Sequence, residues 1–399
     1  MGNRRKRRDY SAYLLTYDMN LIVAVIFLIA FGLVMIYSAS YYTAGMSKTF
    51  HNDPTYLLKS QLKYSLLGLV AMLVAANIDY HKWRYFAALA FLGSIVLILL
   101  LKVPGLGVTV KGATRWIRVP GLGQFQVAEP IKVAMIVFSA ALISKYATKL
   151  NNLKMLVKLM IPTAIIFVMI WKISNNMSTA IIIFGITFAM IFVVYPKYGP
   201  FLLMGGAGAA GAAGLIYYAM HLANSDSGFR LTRIQAWLNP YAYESDTAYQ
   251  SLQALYSIGS GGLFGKGLGN SIQKLGRIPE PYNDMIFSIV CEELGIFGAG
   301  LVILLFIYLL YRLYSITQTA EDLFGRLLSI GVFAHVALQV ILNLMVVTRL
   351  FPTTGVTLPF FSYGGTATVF LLIEIGMVLN VEKWSRLKRE REKREERLS

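Results

Sequence analysis

The chain has 399 residues, of which 56% are apolar and only 14% charged, and its mean hydropathy is +0.59. A soluble domain carries about 25% charge, so a water-soluble globular class is excluded and most of the surface must face lipid. The net charge of +17 is gathered in Arg4, Arg5, Lys6, Arg7 and Arg8, in the 382–399 tail and in short links between apolar runs; that pattern fits positive-inside topology and anionic lipid contact, not a nucleic-acid groove.

In chain order, the basic start resembles a signal-peptide n-region, but no small-residue cleavage site follows and many more apolar runs do. It reads as a retained first helix. A bilayer core needs about 20 apolar residues per helix. The runs that qualify are 19–39, which starts after Asp18, then 61–78, 85–102, 127–145, 157–173, 177–195, 200–220, 285–311, 327–347 and 362–381. The predicted fold is therefore all-α, a polytopic membrane protein of about ten transmembrane helices. The amino terminus, 79–84, 145–158, 196–199, 311–326 and the tail are rich in Lys and Arg, so this set of links is assigned to the cytoplasm, with both termini inside. The opposite set includes one long extracellular loop, 221–284, which exceeds a passive connector. Its apolar residues at helical spacing, such as Ile234, Trp237 and Leu238, predict short helices at the outer interface. The chain divides into a basic amino terminus (1–18), one transmembrane domain (19–381) and a basic tail (382–399).

Within the run 200–220, the small residues from Gly205 to Gly214 predict close helix packing, with a lipid-sized groove as the alternative. The single cysteine, Cys291, excludes an intrachain disulfide, and His51, His81, His221 and His335 lie too far apart for metal-ligand spacing. A Gly-rich stretch, Gly259 to Gly269, fails as a P-loop: Ser260 stands where the first Gly is needed and Gly267 where Ser or Thr must follow Lys266. It reads as a turn presenting backbone N–H groups and Lys266 to an anionic headgroup at the outer surface.

Three clusters carry possible chemistry. In the first, Lys111-Gly-Ala-Thr-Arg-Trp116 places Arg115 and Trp116 in an outer loop, and Glu129 and Lys132 share one helix face just beyond it. They are either an interfacial anchor with a snorkelling lysine or a cationic floor for a phosphate-bearing substrate. In the second, Gln273, Lys274 and Glu280 lead to Asp284, where a long loop becomes a helix. Asp284 is either a helix cap or a catalyst. Glu292 and Glu293 follow at membrane depth, where acids need partners such as Arg349 or Lys132. The third joins Asn343, Arg349 and the Pro- and Gly-interrupted stretch through Ser362 to Gly365; irregular backbone at that depth must line protein or a wet cavity.

Together these clusters resemble the SEDS family of bacterial cell-wall proteins, which serve shape, elongation, division and sporulation (the FtsW, RodA and SpoVE types). The markers appear in family order: Lys111 to Trp116, Gln126 to Lys132, Ser178-Thr-Ala180, Ala248-Tyr-Gln-Ser-Leu252, Gly259 to Ser271, Gln273-Lys-Leu275, Pro279 to Asp284, Glu292-Glu-Leu-Gly295, and Thr354-Gly355 through Ser362 to Gly365. Three places depart. Ala128-Glu129-Pro130 stands for Ser-Glu-Phe, Asn175 to Thr179 lacks the acid of Pro-Asp-Leu-Gly-Thr, and Asn283 precedes Asp284 where the family has His-Thr. The Thr353-to-Phe360 stretch and the extended tail look most like the FtsW division type.

The resemblance implies a peptidoglycan glycosyltransferase acting on lipid II, with Asp284 matching the family's essential outer-loop aspartate. It also implies a class B penicillin-binding protein transpeptidase as partner, other divisome or elongasome membrane proteins nearby, no nucleic acid, and a multi-pass place in a bacterial cytoplasmic membrane, at the division septum. A pyrophosphate leaves without a general acid, so one carboxylate suffices as base. Cations must hold the departing charge, and Arg115, Lys132, Arg230, Arg233 and Lys274 are the candidates, with Trp116, Glu129, Gln273, Glu280 and Ser362 as further substrate contacts. Glu292, Glu293 and Asn343 are expected as structural polar groups. No residue cluster demands a metal, and a divalent cation, Mg or Mn, is left open as an assistant. The competing readings are a lipid II flippase and a scaffold that recruits the transpeptidase.

Overall fold

The computed structural model describes residues 17–110, 112–119, 123–150, 152–221 and 229–397. Among them, ten helices are long and apolar enough to cross a membrane: α1 (Met19–Met46), α2 (Tyr56–Asn77), α3 (Tyr80–Leu100), α4 (Ala128–Tyr146), α5 (Leu153–Ile173), α6 (Met177–Val194), α7 (Gly199–His221), then α10 (Ile286–Thr319), α11 (Leu323–Val347) and α12 (Gly365–Glu396). Two shorter helices, α8 (Phe229–Leu238) and α9 (Tyr249–Gly261), lie within the long loop. Ten crossings return the chain to the end from which it started.

Helix starts follow local capping chemistry. Asp18 accepts from Leu21 N, Asp79 from His81 N, Asn176 from Thr179 N and Asp322 from Gly325 N, each satisfying an orphan amide. The basic end is then tied across helices. Arg312 pairs with Asp18, and Tyr80 Oη donates to Asp322 at 2.9 Å. Asn380 of α12 donates to Ala76 O at 2.7 Å and accepts from Tyr80 N at 2.8 Å, joining the end of α2 to the start of α3. α11 and α12 are the most buried spans and form the centre of the bundle.

The opposite end differs from an all-helical picture in one detail. The 103–126 link folds into a three-stranded antiparallel sheet, β1 (Gly107–Val110), β2 (Ala113–Val119) and β3 (Gly123–Gln126), in that order. Trp116 is paired with Val108 on one side and Gln126 on the other. The tail also differs: α12 continues unbroken through Glu396, because its Glu–Arg spacings, such as Glu382 to Arg386 at 2.6 Å, support helix beyond the apolar run.

The close packing expected of Gly205 to Gly214 is not present. A Cβ at Gly205, Gly206, Gly208, Gly211 or Gly214 would meet nothing within 4 Å. α7 is the least buried span, and its small-residue face borders open space.

Candidate functional site

The outer end of the bundle is organised by the segment between α11 and α12. Asn343, fully buried, donates to Val356 O at 2.7 Å and to the backbone carbonyl of Asp284 at 2.8 Å. One turn earlier on the same face of α11, Gln339 donates to Thr357 O at 3.1 Å and accepts from Lys132 at 3.5 Å. Lys132 in turn lies 2.9 Å from Glu129, both buried, so the pairing expected from their spacing is present. The 356–357 backbone therefore connects the start of α4 to Asp284.

Asp284 is half-buried, two residues before α10. The helix-cap reading does not hold: Met285 occupies the cap position and no side chain bonds there. Instead Asp284 Oδ1 accepts from Gln250 of α9 at 3.3 Å. Its carboxylate lies within electrostatic reach of the Arg233 guanidinium on α8. Arg233 donates to Thr353 O at 3.1 Å. Its pKa is held below the usual arginine value, first by burial and then by repulsion from Arg115, with Asp284 opposing. Burial also lowers Arg115, whose Nε has no hydrogen-bond partner. Guanidinium stays protonated despite such shifts, so Arg233, partly desolvated, feels both the Asp284 carboxylate and a second, half-buried cation, Arg115. That surplus of positive charge is suited to a multiply charged anion beside a base.

Arg349, in the left-handed region, caps α8 by donating to Ala236 O and Trp237 O at 3.2 and 2.9 Å, while Trp237 Nε1 returns a bond to Arg349 O at 2.8 Å. It is not a partner of Glu292 or Glu293, as the sequence had led one to expect. Those acids take Lys266 and Lys274, each at 2.6 Å. Glu292 also accepts from Ser257 and Ser271 hydroxyls and the Ile272 amide, and Glu293 from Ser38 of α1 at 2.7 Å.

The reason is a local break in α10. Gly295 leaves helical geometry at φ 64°, and the Gly-rich loop after α9 inserts beside it. Lys266 N donates to Glu292 O and Gly267 N to Glu293 O, both at 2.9 Å, and Ile296 N donates to Gly262 O at 3.0 Å. The groups freed by the break are thus re-satisfied at membrane depth. A Cβ on Gly265 would sit 2.2 Å from Glu293 O. Lys266 is accordingly lodged against α10 rather than offered to a headgroup at the outer surface. Lys274 is likewise a buried partner of Glu293 and Ser38, removed from the Asp284 site.

The remaining candidates separate in the same way. Gln273 is buried, and its backbone N–H donates to Glu292 Oε2 at 3.4 Å. Ser362 Oγ accepts from Leu358 N at 2.8 Å, closing a turn. Glu280 accepts from Asn283 at 2.9 Å in the approach to Asp284. Trp116 is half-buried on β2. Arg230 begins α8, and its side chain lies outside the described residues. The structure thus brings Arg115, Arg233, Asp284 and Asn343 together, with Glu129 and Lys132 across the 356–357 segment. Sequence reasoning missed Gln250 and Ser38; a serine at helix depth in α1 was the available signal for the latter. Among the described residues no group of three or more His, Cys, Asp or Glu could hold a metal ion. A single carboxylate beside the Arg233 guanidinium does not fit a resident divalent cation.

Comparison with known proteins gives concordant results. A family model described as cell cycle protein, FtsW, RodA and SpoVE, matches residues 19–387. A probable peptidoglycan glycosyltransferase FtsW of Trichlorobacter lovleyi is 37% identical over 92% of this chain and 93% of its own length. The stage V sporulation protein E of Bacillus subtilis is 36% identical over 92% and 98%. Among solved structures, a chain of a peptidoglycan synthase complex that coordinates polymerization and crosslinking superposes with a TM-score of 0.71 at 24% identity, covering 92% of this chain and 98% of that one. The rod shape determining protein RodA of Thermus thermophilus gives 0.62 at 24% identity, covering 92% and 97%.

Proposed function

The chain belongs to the FtsW, RodA and SpoVE family of cell cycle proteins, and on that premise we propose that it is a peptidoglycan glycosyltransferase that polymerises lipid II at the outer face of the membrane. The observation that carries this reading is a half-buried Asp284 held by Gln250 on its carboxylate and by Asn343 on its backbone, within electrostatic reach of Arg233, which Arg115 in turn repels. Asp284 acts as general base. It takes the proton of an acceptor sugar hydroxyl as that oxygen bonds to the anomeric carbon of the donor. The bond from that carbon to the pyrophosphate breaks, and its electron pair leaves with the lipid-linked diphosphate. Arg115 and Arg233 neutralise the charge that grows there, an interaction stronger in the transition state than in the ground state. Asn343 holds the Asp284 backbone in place.

A class B penicillin-binding protein is the proposed partner, supported by the likeness to a chain of a peptidoglycan synthase complex. Relatives named FtsW favour service at the division septum. The test is glycan formation from lipid II by the purified chain with its transpeptidase. Asp284→Asn abolishes polymer while folding and complex assembly persist. Full polymerisation by that variant removes Asp284 from the base role.

A further inference from the structure

At the basic end of the bundle, far from Asp284, the connection from α4 to α5 collects Lys145, Lys149, Lys154 and Lys158. The chain has no acidic residue between Glu129 and Asp226. Several other cations at this end have acids beside them: Arg312 has Asp18, Arg386 and Arg389 have Glu382, and Lys388 has Glu321. None of the four lysines has a carboxylate partner among the described residues. They are also held near one another. Lys145 and Lys158 both lie over the Tyr146 ring, at 5.7 and 5.5 Å from its centroid. Like charges converging without an acid raise the local potential and favour an anion between them.

Two further features say which anion. Lys149, Lys154 and Lys158, with Asn152 and Met155, line an open recess of about 440 Å³. Directly below it, Leu153, Val157, Ile161, Ile165 and Val168 form an exposed stripe along one face of α5, each 44–59% accessible. Lipid-facing apolar residues are expected on any span, but Leu153 and Val157 alternate with Lys154 and Lys158 in the first turns of α5, so this stripe begins at the recess; a soluble phosphate would use the lysines alone. A lipid would use both.

We propose that the α4–α5 recess binds an anionic glycerophospholipid of the cytoplasmic leaflet. The headgroup phosphate is held by Lys149, Lys154, Lys158 and the Asn152 amide, and an acyl chain runs along the Leu153–Val168 stripe. Three ammonium groups match a lipid with two phosphodiesters better than one with a single charge.

The test measures cardiolipin retained by the purified full chain in neutral detergent, with phosphatidylethanolamine as the zwitterionic comparison of zero net charge. Lys149→Gln/Lys154→Gln/Lys158→Gln should weaken cardiolipin binding by about a hundredfold, roughly fivefold per lysine. Arg391→Gln/Lys393→Gln/Arg394→Gln removes the same charge from the tail and should leave binding within about twofold, since charge alone falls off over a Debye length. Equal losses in both variants would overturn the site in favour of diffuse attraction. Displacement of the lipid by millimolar inorganic phosphate would overturn it in favour of a soluble-anion site. Should the lysine variant fold or orient poorly, Val157→Ser/Ile161→Ser keeps every charge; it should lower cardiolipin retention severalfold, and unchanged retention would refute the acyl track.

Discussion

Lys274→Met tests the buried clamp beneath the loop that carries Asp284. Glu293 is fully buried, and Lys274, 4% exposed, lies 2.6 Å from it. With the ammonium gone, the carboxylate keeps only the Ser38 hydroxyl at 2.7 Å and the Ser271 amide at 3.4 Å. An uncompensated buried charge of this kind costs about 3–5 kcal/mol. Two hydrogen bonds to a charged group, one of them long, offset little of it. Lys274→Met/Glu293→Leu removes both charges at similar volume and should recover most of the loss, giving a coupling of at least about 2 kcal/mol in a double-mutant cycle. The assay is reversible unfolding of the purified chain in mixed micelles, read for the parent, both single variants and the double. Because Lys274 and Asp284 belong to one loop, polymerisation should fall in the single variant and partly return in the double. A cost for Lys274→Met below about 0.5 kcal/mol, the size of an ordinary surface change, would refute the clamp.

Gly265→Ala places a Cβ 2.2 Å from Glu293 O at φ +77°, whereas Gly269→Ala, at φ +85°, meets open space; unfolding should show about 3 kcal/mol or more for the first and only the left-handed penalty of about 1–2 kcal/mol for the second. Asn343→Ala strips the Asp284 and Val356 carbonyls of their donor, costing about 1–3 kcal/mol per unsatisfied group; with Asp284 in its proposed role, steady-state kinetics should show a lower kcat with little change in KM, because Asn343 holds the Asp284 backbone. Tyr282 lies outside the spans, and burial, aided by the Glu280 charge, raises its pKa from 10.0 to about 12. Its contribution is complete below pH 10 and lost as pH rises toward 12, since the unfolded chain gives up that proton first; Tyr282→Phe should reduce the alkaline fall in unfolding stability between those values.

Much of the architecture was legible from residues alone. Each of the ten apolar runs became a helix, because the transfer of a helix into lipid is a local property of its composition; the ends were less readable, the first and eighth helices running seven or eight residues further and the last fifteen. Asp18 as the start of α1, and Glu129 with Lys132 as neighbours three apart, were equally readable, since caps and helix-face pairs depend on spacing within one element. The partners of Glu292 and Glu293 were not readable. Arg349 and Lys132 were reasonable cations by type, but Lys266 and Lys274 reach the acids only because α10 opens at Gly295 and a Gly-rich loop enters the gap. The site itself shows the same limit. Asp284 could be singled out, but Arg115 on a β-strand, Arg233 and Gln250 on two loop helices, and Asn343 on α11 meet only in the folded bundle. Electrostatic and hydrogen-bonding partners are chosen by distance in space, and no spacing along the chain encodes that distance.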